Sequence, residues 1–225
     1  MKSPRPGGTE NISVSMPSEL LGALRTRTGK RGVSAYVAAA VRHQLAMDGL
    51  AEIVAAYEAE HEPLSEAEIK AAQHELFGRT GAVRLRQQRR MKEPAARSLV
   101  LDSQALSLLL RNDRQMVTRI EAARRVGVPV LVSALTVVEA VYGKTDTARL
   151  HWMLSRLQVQ DVTQADSLTA VQLLSDAGGL HGHKYAIDAL VAAIALRSPA
   201  PVLVLTSDRD DWAALCGDRI QIKDV

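Results

Sequence analysis

Four acidic residues in the second half of this 225-residue chain, Asp102, Glu139, Asp188 and Asp208, border or interrupt strongly apolar segments. Asp102 ends Ser98-Leu-Val-Leu-Asp102, and Glu139 sits in Thr136-Val-Val-Glu-Ala-Val141. Asp188 sits in Ala186-Ile-Asp-Ala-Leu-Val191, and Asp208 follows Val202-Leu-Val-Leu-Thr-Ser207. A carboxylate in such surroundings is costly to desolvate unless a cation or a set of hydrogen-bond donors compensates it. Singly, each acid has a plain reading: Asp102 and Asp208 as helix N-caps, Glu139 and Asp188 as members of ion pairs. Jointly, four that converge at strand ends make an all-oxygen donor set, the chemistry of a divalent-metal site. Asp210 and Asp211 are explained by the first turn of a helix, whose dipole favours acids.

The elements that must position them are legible as alternating runs. Strands are expected at 98–102, 128–133, 157–162, 201–205 and 219–224. Helices are expected at about 103–111, 113–126, 134–143, 146–156, 165–177, 184–197 and 208–216. Short β-rich runs separated by helical lengths predict an α/β domain over residues 98–225 with a mainly parallel sheet. Ligands of such sheets bind beyond the carboxyl ends of the strands. Asp102 and Asp208 fall at those ends, with Glu139 and Asp188 on helices leaning over the same edge. His181, His183 and Lys184, just upstream of Asp188, read as exposed loop residues within reach of a phosphate.

Composition narrows the class. The apolar fraction of 47% and the charged fraction of 24% are those of an ordinary globular protein. At 3% aromatic residues the core is aliphatic and base-stacking platforms are not expected. The single cysteine, Cys216, rules out an intrachain disulfide or a cysteine zinc cluster. Its setting in Trp212-Ala-Ala-Leu-Cys216 is that of a small buried hydrophobe. The N-terminus has no apolar signal core, and the run Ala189–Leu196 is too short to span a bilayer, so a cytoplasmic location without membrane partners is expected. Gly143-Lys-Thr145 lacks the first glycine of a phosphate loop. Gln104 stands where a dehalogenase-like phosphatase needs its second acid.

Charge is distributed in blocks. Residues 2–47 carry seven Lys and Arg against two acids, a net +5, and residues 48–77 carry one Lys against eight acids, a net −7. Residues 78–97 carry seven Lys and Arg against one acid, a net +6. Such blocks mark distinct segments. We therefore divide the chain into a basic head (1–47), an acidic helical arm (48–77), a basic connector (78–97) and the globular α/β domain (98–225).

In the head, Asn11-Ile-Ser-Val-Ser-Met16 alternates with period two, as a half-buried strand does. Pro17 suits the first turn of a helix through about Arg27, Gly29-Lys-Arg-Gly32 makes a turn, and Ser34 is expected to cap a second helix. Its buried stripe would be Tyr36, Val37, Ala40, Val41 and Leu45. One strand and two short helices cannot close a core at this size, and a lone strand leaves its backbone unpaired, so self-association through paired strands is expected. In the arm, Leu64-Ser65-Glu-Ala-Glu68 is a capping box, and the sparse apolar positions Leu50, Ile53, Val54, Tyr57, Ile69, Leu76 and Phe77 require a partner groove.

Residues 11–47, with Ile12-Ser-Val-Ser-Met-Pro17 and Gly32-Val-Ser-Ala-Tyr-Val37, resemble a dimeric ribbon-helix-helix (β-α-α) DNA-binding domain of the kind found in bacterial antitoxins. The resemblance implies a two-chain ribbon in the major groove of operator DNA, with Asn11, Ser13 and Ser15 facing the bases. Backbone amides near Val33 and Ser34 would hold a phosphate, helped by Lys30 or Arg31. Residues 98–225, with Val100-Leu-Asp-Ser-Gln-Ala-Leu106, Val137-Val-Glu-Ala-Val-Tyr142, Ala186-Ile-Asp-Ala-Leu-Val191 and Val204-Leu-Thr-Ser-Asp208, resemble a PIN-domain nuclease. This implies a Mg²⁺- or Mn²⁺-dependent endoribonuclease, its metal held by Asp102, Glu139, Asp188 and Asp208, with Thr206 or Ser207 assisting the last. Transfer RNA is the substrate the resemblance suggests. Together the two halves resemble a VapBC-type toxin–antitoxin pair in one polypeptide, the antitoxin part repressing its own operator and masking the nuclease. Arg79, Arg84 and Arg86 of the connector are the candidates to enter the acid cluster. The alternative is a DNA-binding regulator whose PIN-like domain is a non-catalytic interaction module.

Overall fold

The computed structural model describes residues 12–78, 98–141, 146–178, 180 and 182–225, with only the backbone of Lys30 and Arg31. Asn11, the connector arginines Arg79, Arg84 and Arg86, the Gly143-Lys-Thr145 segment and His181 lie outside the described residues. Contacts divide the chain into two units, Met1–Arg42 and His43–Val225.

In the first unit, residues 12–17 form no strand, contrary to the expected ribbon. Among the described residues no strand pairs with this stretch, and a strand without a ladder partner leaves its backbone groups unpaired. Helix α1, Ser18–Glu58, follows and is broken at Gly29 (φ 69, ψ 171), a left-handed backbone that glycine adopts without a Cβ clash. Helix resumes directly after this break, so Ser34 lies inside the second helical segment instead of capping it. The expected buried stripe is also corrected. Val41 is 51% and Leu45 63% exposed, as are Ile12 at 83% and Val14 at 65%. No described residue covers these apolar side chains.

The second unit begins within α1. Helix α2, Glu66–Phe77, opens on the expected capping box: Ser65 Oγ accepts from the Glu68 amide, and the Glu68 carboxylate accepts from the Ser65 amide. The α/β domain follows as β1 (Ser98–Leu101), α3 (Ser103–Leu110), α4 (Arg114–Arg125), β2 (Val130–Ser133), α5 (Ala134–Ala140) and α6 (Thr147–Leu154). It continues with β3 (Gln158–Gln160), α7 (Gln164–Asp176), α8 (Gly182–Arg197), β4 (Val202–Thr206), α9 (Arg209–Cys216), a 3₁₀ turn (Gly217–Arg219) and β5 (Gln221–Asp224). All neighbouring strands are parallel, in the order β3-β2-β1-β4-β5. Strands β1, β2 and β4 are buried throughout, which is why they read as unbroken apolar runs.

Side chains alternate across the sheet. Val100, Leu131, Val202 and Val204 face a layer built with α7, α8 and α9. Leu99, Leu101, Val130, Val132, Leu203 and Leu205 face α3, α4 and the arm. Leu50, Ile53, Val54 and Tyr57 from the end of α1 and Ile69, Ala72, Leu76 and Phe77 from α2 join that second core directly. The groove that the arm requires is therefore supplied by its own chain. Ile69 is 1% exposed, so Ile69→Ala should lower unfolding stability by about 2–5 kcal/mol, as deletion of a packed aliphatic side chain does. Chemical denaturation read by circular dichroism measures this; a change under about 0.5 kcal/mol would mean that α2 is not integral to the core.

The acidic block finds its counter-charges on the same side. Arg114 grips Glu68 with two parallel bonds, Nε to Oε1 at 2.8 Å and Nη2 to Oε2 at 3.0 Å. It also donates to the carbonyls of Glu62 (2.8 Å) and Pro63 (3.0 Å), so one guanidinium ties down the turn between α1 and α2. Arg119 pairs with Glu75, Arg125 with Glu66, and Arg156 with Glu52, each at 2.7–2.8 Å. Partly exposed pairs contribute little singly. Here they select which surface the arm meets.

Candidate active site

The order of the sheet reverses at β1: the chain builds outward through β2 and β3, then returns to add β4 and β5 on the other side. The carboxyl ends of β1 and β4 flank this switch point, where open α/β sheets bind ligands. Asp102 directly follows β1, and Asp208 stands between β4 and α9. Glu139 comes from the end of α5, and Asp188 from the second turn of α8.

Asp102 is buried and held by three donors. Its Oδ1 accepts from the Ser103 amide at 2.8 Å, which makes it the N-cap of α3. Its Oδ2 accepts from Thr206 Oγ1 at 2.7 Å and from the indole Nε1–H of Trp212 at 3.0 Å. Thr206 in turn accepts from the Asp208 amide at 2.9 Å, so one hydroxyl links the ends of β1 and β4 to the start of α9. Asp208 occupies the N-cap position of α9, yet its carboxylate makes no capping bond. The helix-cap explanation thus accounts for one oxygen of Asp102 and for nothing of Asp208.

The acids feel one another. Burial, then Asp188 and Asp102, push the Glu139 carboxyl above its ordinary range. Asp188 is pushed up to about 6 by burial and then by Asp102, Asp211 and Asp208, with Lys184 opposing. Asp208 is raised by burial and then by Asp211, Asp102 and Asp210, again against Lys184. A common set of neighbours places all four in one electrostatic cluster, with Asp211 acting on two of them. Lys184, exposed in the first turn of α8, stands at the rim and donates to Tyr185 Oη at 2.8 Å.

Among the described residues, no group of three acids or histidines is arranged as a ready metal-binding shell. The donor set nevertheless suits a hard dication: every candidate ligand is a carboxylate, and like-charge repulsion is what such an ion relieves. The cluster also contains one donor whose part was not legible in the sequence. Trp212 stands four residues beyond Asp208 in an apolar helix, and nothing in that spacing shows its indole turned back to Asp102. Cys216 is buried and its thiol pushed up to about 11 by that burial, as befits packing and not reactivity.

A parallel α/β domain with carboxylates grouped at its switch point defines the architecture of this chain's larger unit. The PIN domain model matches residues 99–217, and the chain belongs to that family. Among solved structures, the chain is similar to VapBC2 from Rickettsia felis bound to a DNA fragment from their promoter. The match has 14% identity and a TM-score of 0.45, over 57% of this chain and 98% of that one. No curated protein matches. No helix among the described residues is long and apolar enough to cross a membrane.

Proposed function

We propose that residues 98–225 form a divalent-metal-dependent endoribonuclease, carried in one chain with an antitoxin-like head and arm. What supports this reading is the electrostatic coupling of Glu139, Asp188 and Asp208 with Asp102 beside the switch point, the carboxyls of the first three being raised by burial and then by neighbouring acids. These four carboxylates would hold Mg²⁺ or Mn²⁺. When bound, the ion supplies an acidified water and offsets charge developing on the phosphate. Thr206 and Trp212 orient Asp102, Glu139 and Asp188 are half-buried beside it, and Lys184 at the rim would meet a phosphate of the RNA backbone.

The head supports a second activity in the same chain, binding of operator DNA by a ribbon formed between two copies. The exposed Ile12 and Val14 are the residues such a ribbon would bury, leaving Asn11, Ser13 and Ser15 for bases and Lys30 and Arg31 for phosphates. The arm supports inhibition in cis. Phe77 is 6% exposed in the globular core, so the basic connector starts from a fixed point on the nuclease domain. From there Arg79, Arg84 or Arg86 would pair with the acids and compete with metal.

The test is cleavage of a labelled RNA by the full chain with Mg²⁺ or Mn²⁺, beside a variant carrying Arg79→Ala, Arg84→Ala and Arg86→Ala and the same variant with Asp102→Asn. The triple variant should cleave, and Asp102→Asn should lower its rate by at least about 100-fold. Cleavage that survives Asp102→Asn would point to a contaminating nuclease. A triple variant that binds no metal and cleaves nothing would favour a non-catalytic PIN-like module.

A further inference from the structure

An ionised carboxylate offers about four in-plane lone pairs, two on each oxygen. On Asp102, Oδ2 has both engaged, one by Thr206 Oγ1 at 2.7 Å and one by Trp212 Nε1 at 3.0 Å. Among the described residues Oδ1 has one engaged, by the Ser103 amide at 2.8 Å. We propose that Trp212 is a positioning residue of the metal site, which together with Thr206 closes Oδ2 and leaves Asp102 one free lone pair, on Oδ1, to offer a cation. Asp102 is then a monodentate ligand of fixed orientation. The inference deepens the nuclease reading and rests on it.

Trp212 is 2% exposed and Thr206 fully buried, so neither donor has water as an alternative partner. An indole N–H donates and cannot accept, so its partner must be an acceptor, and Asp102 Oδ2 is the one it has. Phenylalanine at this position would keep an aromatic ring in the core and delete only the donor edge. Oδ2 would regain a lone pair, and the carboxylate would gain a second way to present itself. Groups that orient a ligand in this manner are typically worth 10–100-fold in metal affinity.

The chain has two tryptophans, Trp152 and Trp212, so Trp152→Phe leaves the positioning indole as the sole reporter. In that full-length background without metal, Asp102→Asn should shift the Trp212 emission maximum, because the indole loses an anionic acceptor. Mn²⁺ binding, counted by electron paramagnetic resonance of the free ion, should weaken about 10–100-fold in Trp212→Phe and in Thr206→Val, while both keep a cooperative melt in EDTA. If Trp212→Phe does not fold, the isosteric Thr206→Val decides.

Unaltered Mn²⁺ affinity in a folded Trp212→Phe chain, or in Thr206→Val where that variant decides, overturns the inference and leaves the nuclease reading standing. An emission spectrum indifferent to Asp102→Asn also overturns it. A parent chain that takes up no Mn²⁺, even with the three connector arginines replaced by alanine, removes the nuclease reading and this inference together.

Discussion

At pH 7.5 in EDTA, Asp188→Asn in a parent chain whose Arg79, Arg84 and Arg86 are alanine is expected to melt at a higher temperature than that parent, and to lose its RNA cleavage once Mn²⁺ is supplied. The stability gain follows from repulsion. Burial and the charges of Asp102, Asp211 and Asp208 push the Asp188 carboxyl from 3.8 up to about 6. A folded-state value above the unfolded one means that the folded chain binds the proton more tightly. Stability therefore falls as pH rises from about 4 through about 6, and the full penalty is present above that window. Removing it should stabilise the metal-free protein by roughly 1–3 kcal/mol at pH 7.5. The advantage of Asp188→Asn should shrink toward zero near pH 4, where the parent is protonated.

Glu68 works in the opposite direction. The bonds from Arg114, then those from Ser65, hold its carboxyl down at about 2, so its contribution is present above about 4.5 and lost as pH falls through 2. From these two groups the metal-free chain is most stable near pH 4–5, and bound metal should move that maximum toward neutrality. Scanning calorimetry across pH, with EDTA and with Mn²⁺, checks both statements. An Asp188→Asn chain less stable than its parent at pH 7.5 would remove the repulsion argument.

The second large effect concerns the arm. Residues 98–225 produced alone are expected to be markedly less stable than the full chain and to aggregate, and a peptide of residues 43–78 added in trans should restore a cooperative melt. Leu50, Ile53, Tyr57, Ile69, Leu76 and Phe77 are each under a tenth exposed, and their removal would uncover the face of the sheet that carries Leu99 and Leu101. Gly49 offers a single-site version. A Cβ there would sit 2.5 Å from the backbone carbonyl oxygen of Arg156, so Gly49→Leu must push the end of α1 away from the domain. Light scattering and circular dichroism distinguish the outcomes. A fragment that stays monomeric and melts like the full chain would show that the arm is dispensable to the fold.

Much of this was legible in the sequence, and for identifiable reasons. Strands β1, β2 and β4 were visible because buried parallel strands are uninterrupted apolar runs, and the acids stood out because they end or break such runs. The capping box at Ser65 is a local signal and needs no tertiary context. What was not legible depends on partners distant in the chain. Nothing near Glu68 names Arg114, and nothing near Trp212 names Asp102, since both pairings exist only once the sheet is closed. Local turn signals also misplaced the start of the second helical segment. Gly29 alone absorbs the break, which leaves Ser34 inside the helix although its type suits a cap. The stripe Tyr36, Val41 and Leu45 has the right spacing for a core, but no described residue packs over it.

The buried Arg119 carries a consequence of its own. It is 3% exposed, and its Nη2 is shared between Glu75 of α2 and the Asp224 carbonyl at the end of β5. Its Nε has no partner among the described residues. A guanidinium in that position cannot lose its carboxylate without leaving an uncompensated charge inside the protein, a change that commonly costs 3–5 kcal/mol. The arm is thus the counter-ion of the fold as well as its cover. Any process that strips it away must deliver another anion to the same place, or take the last strand with it.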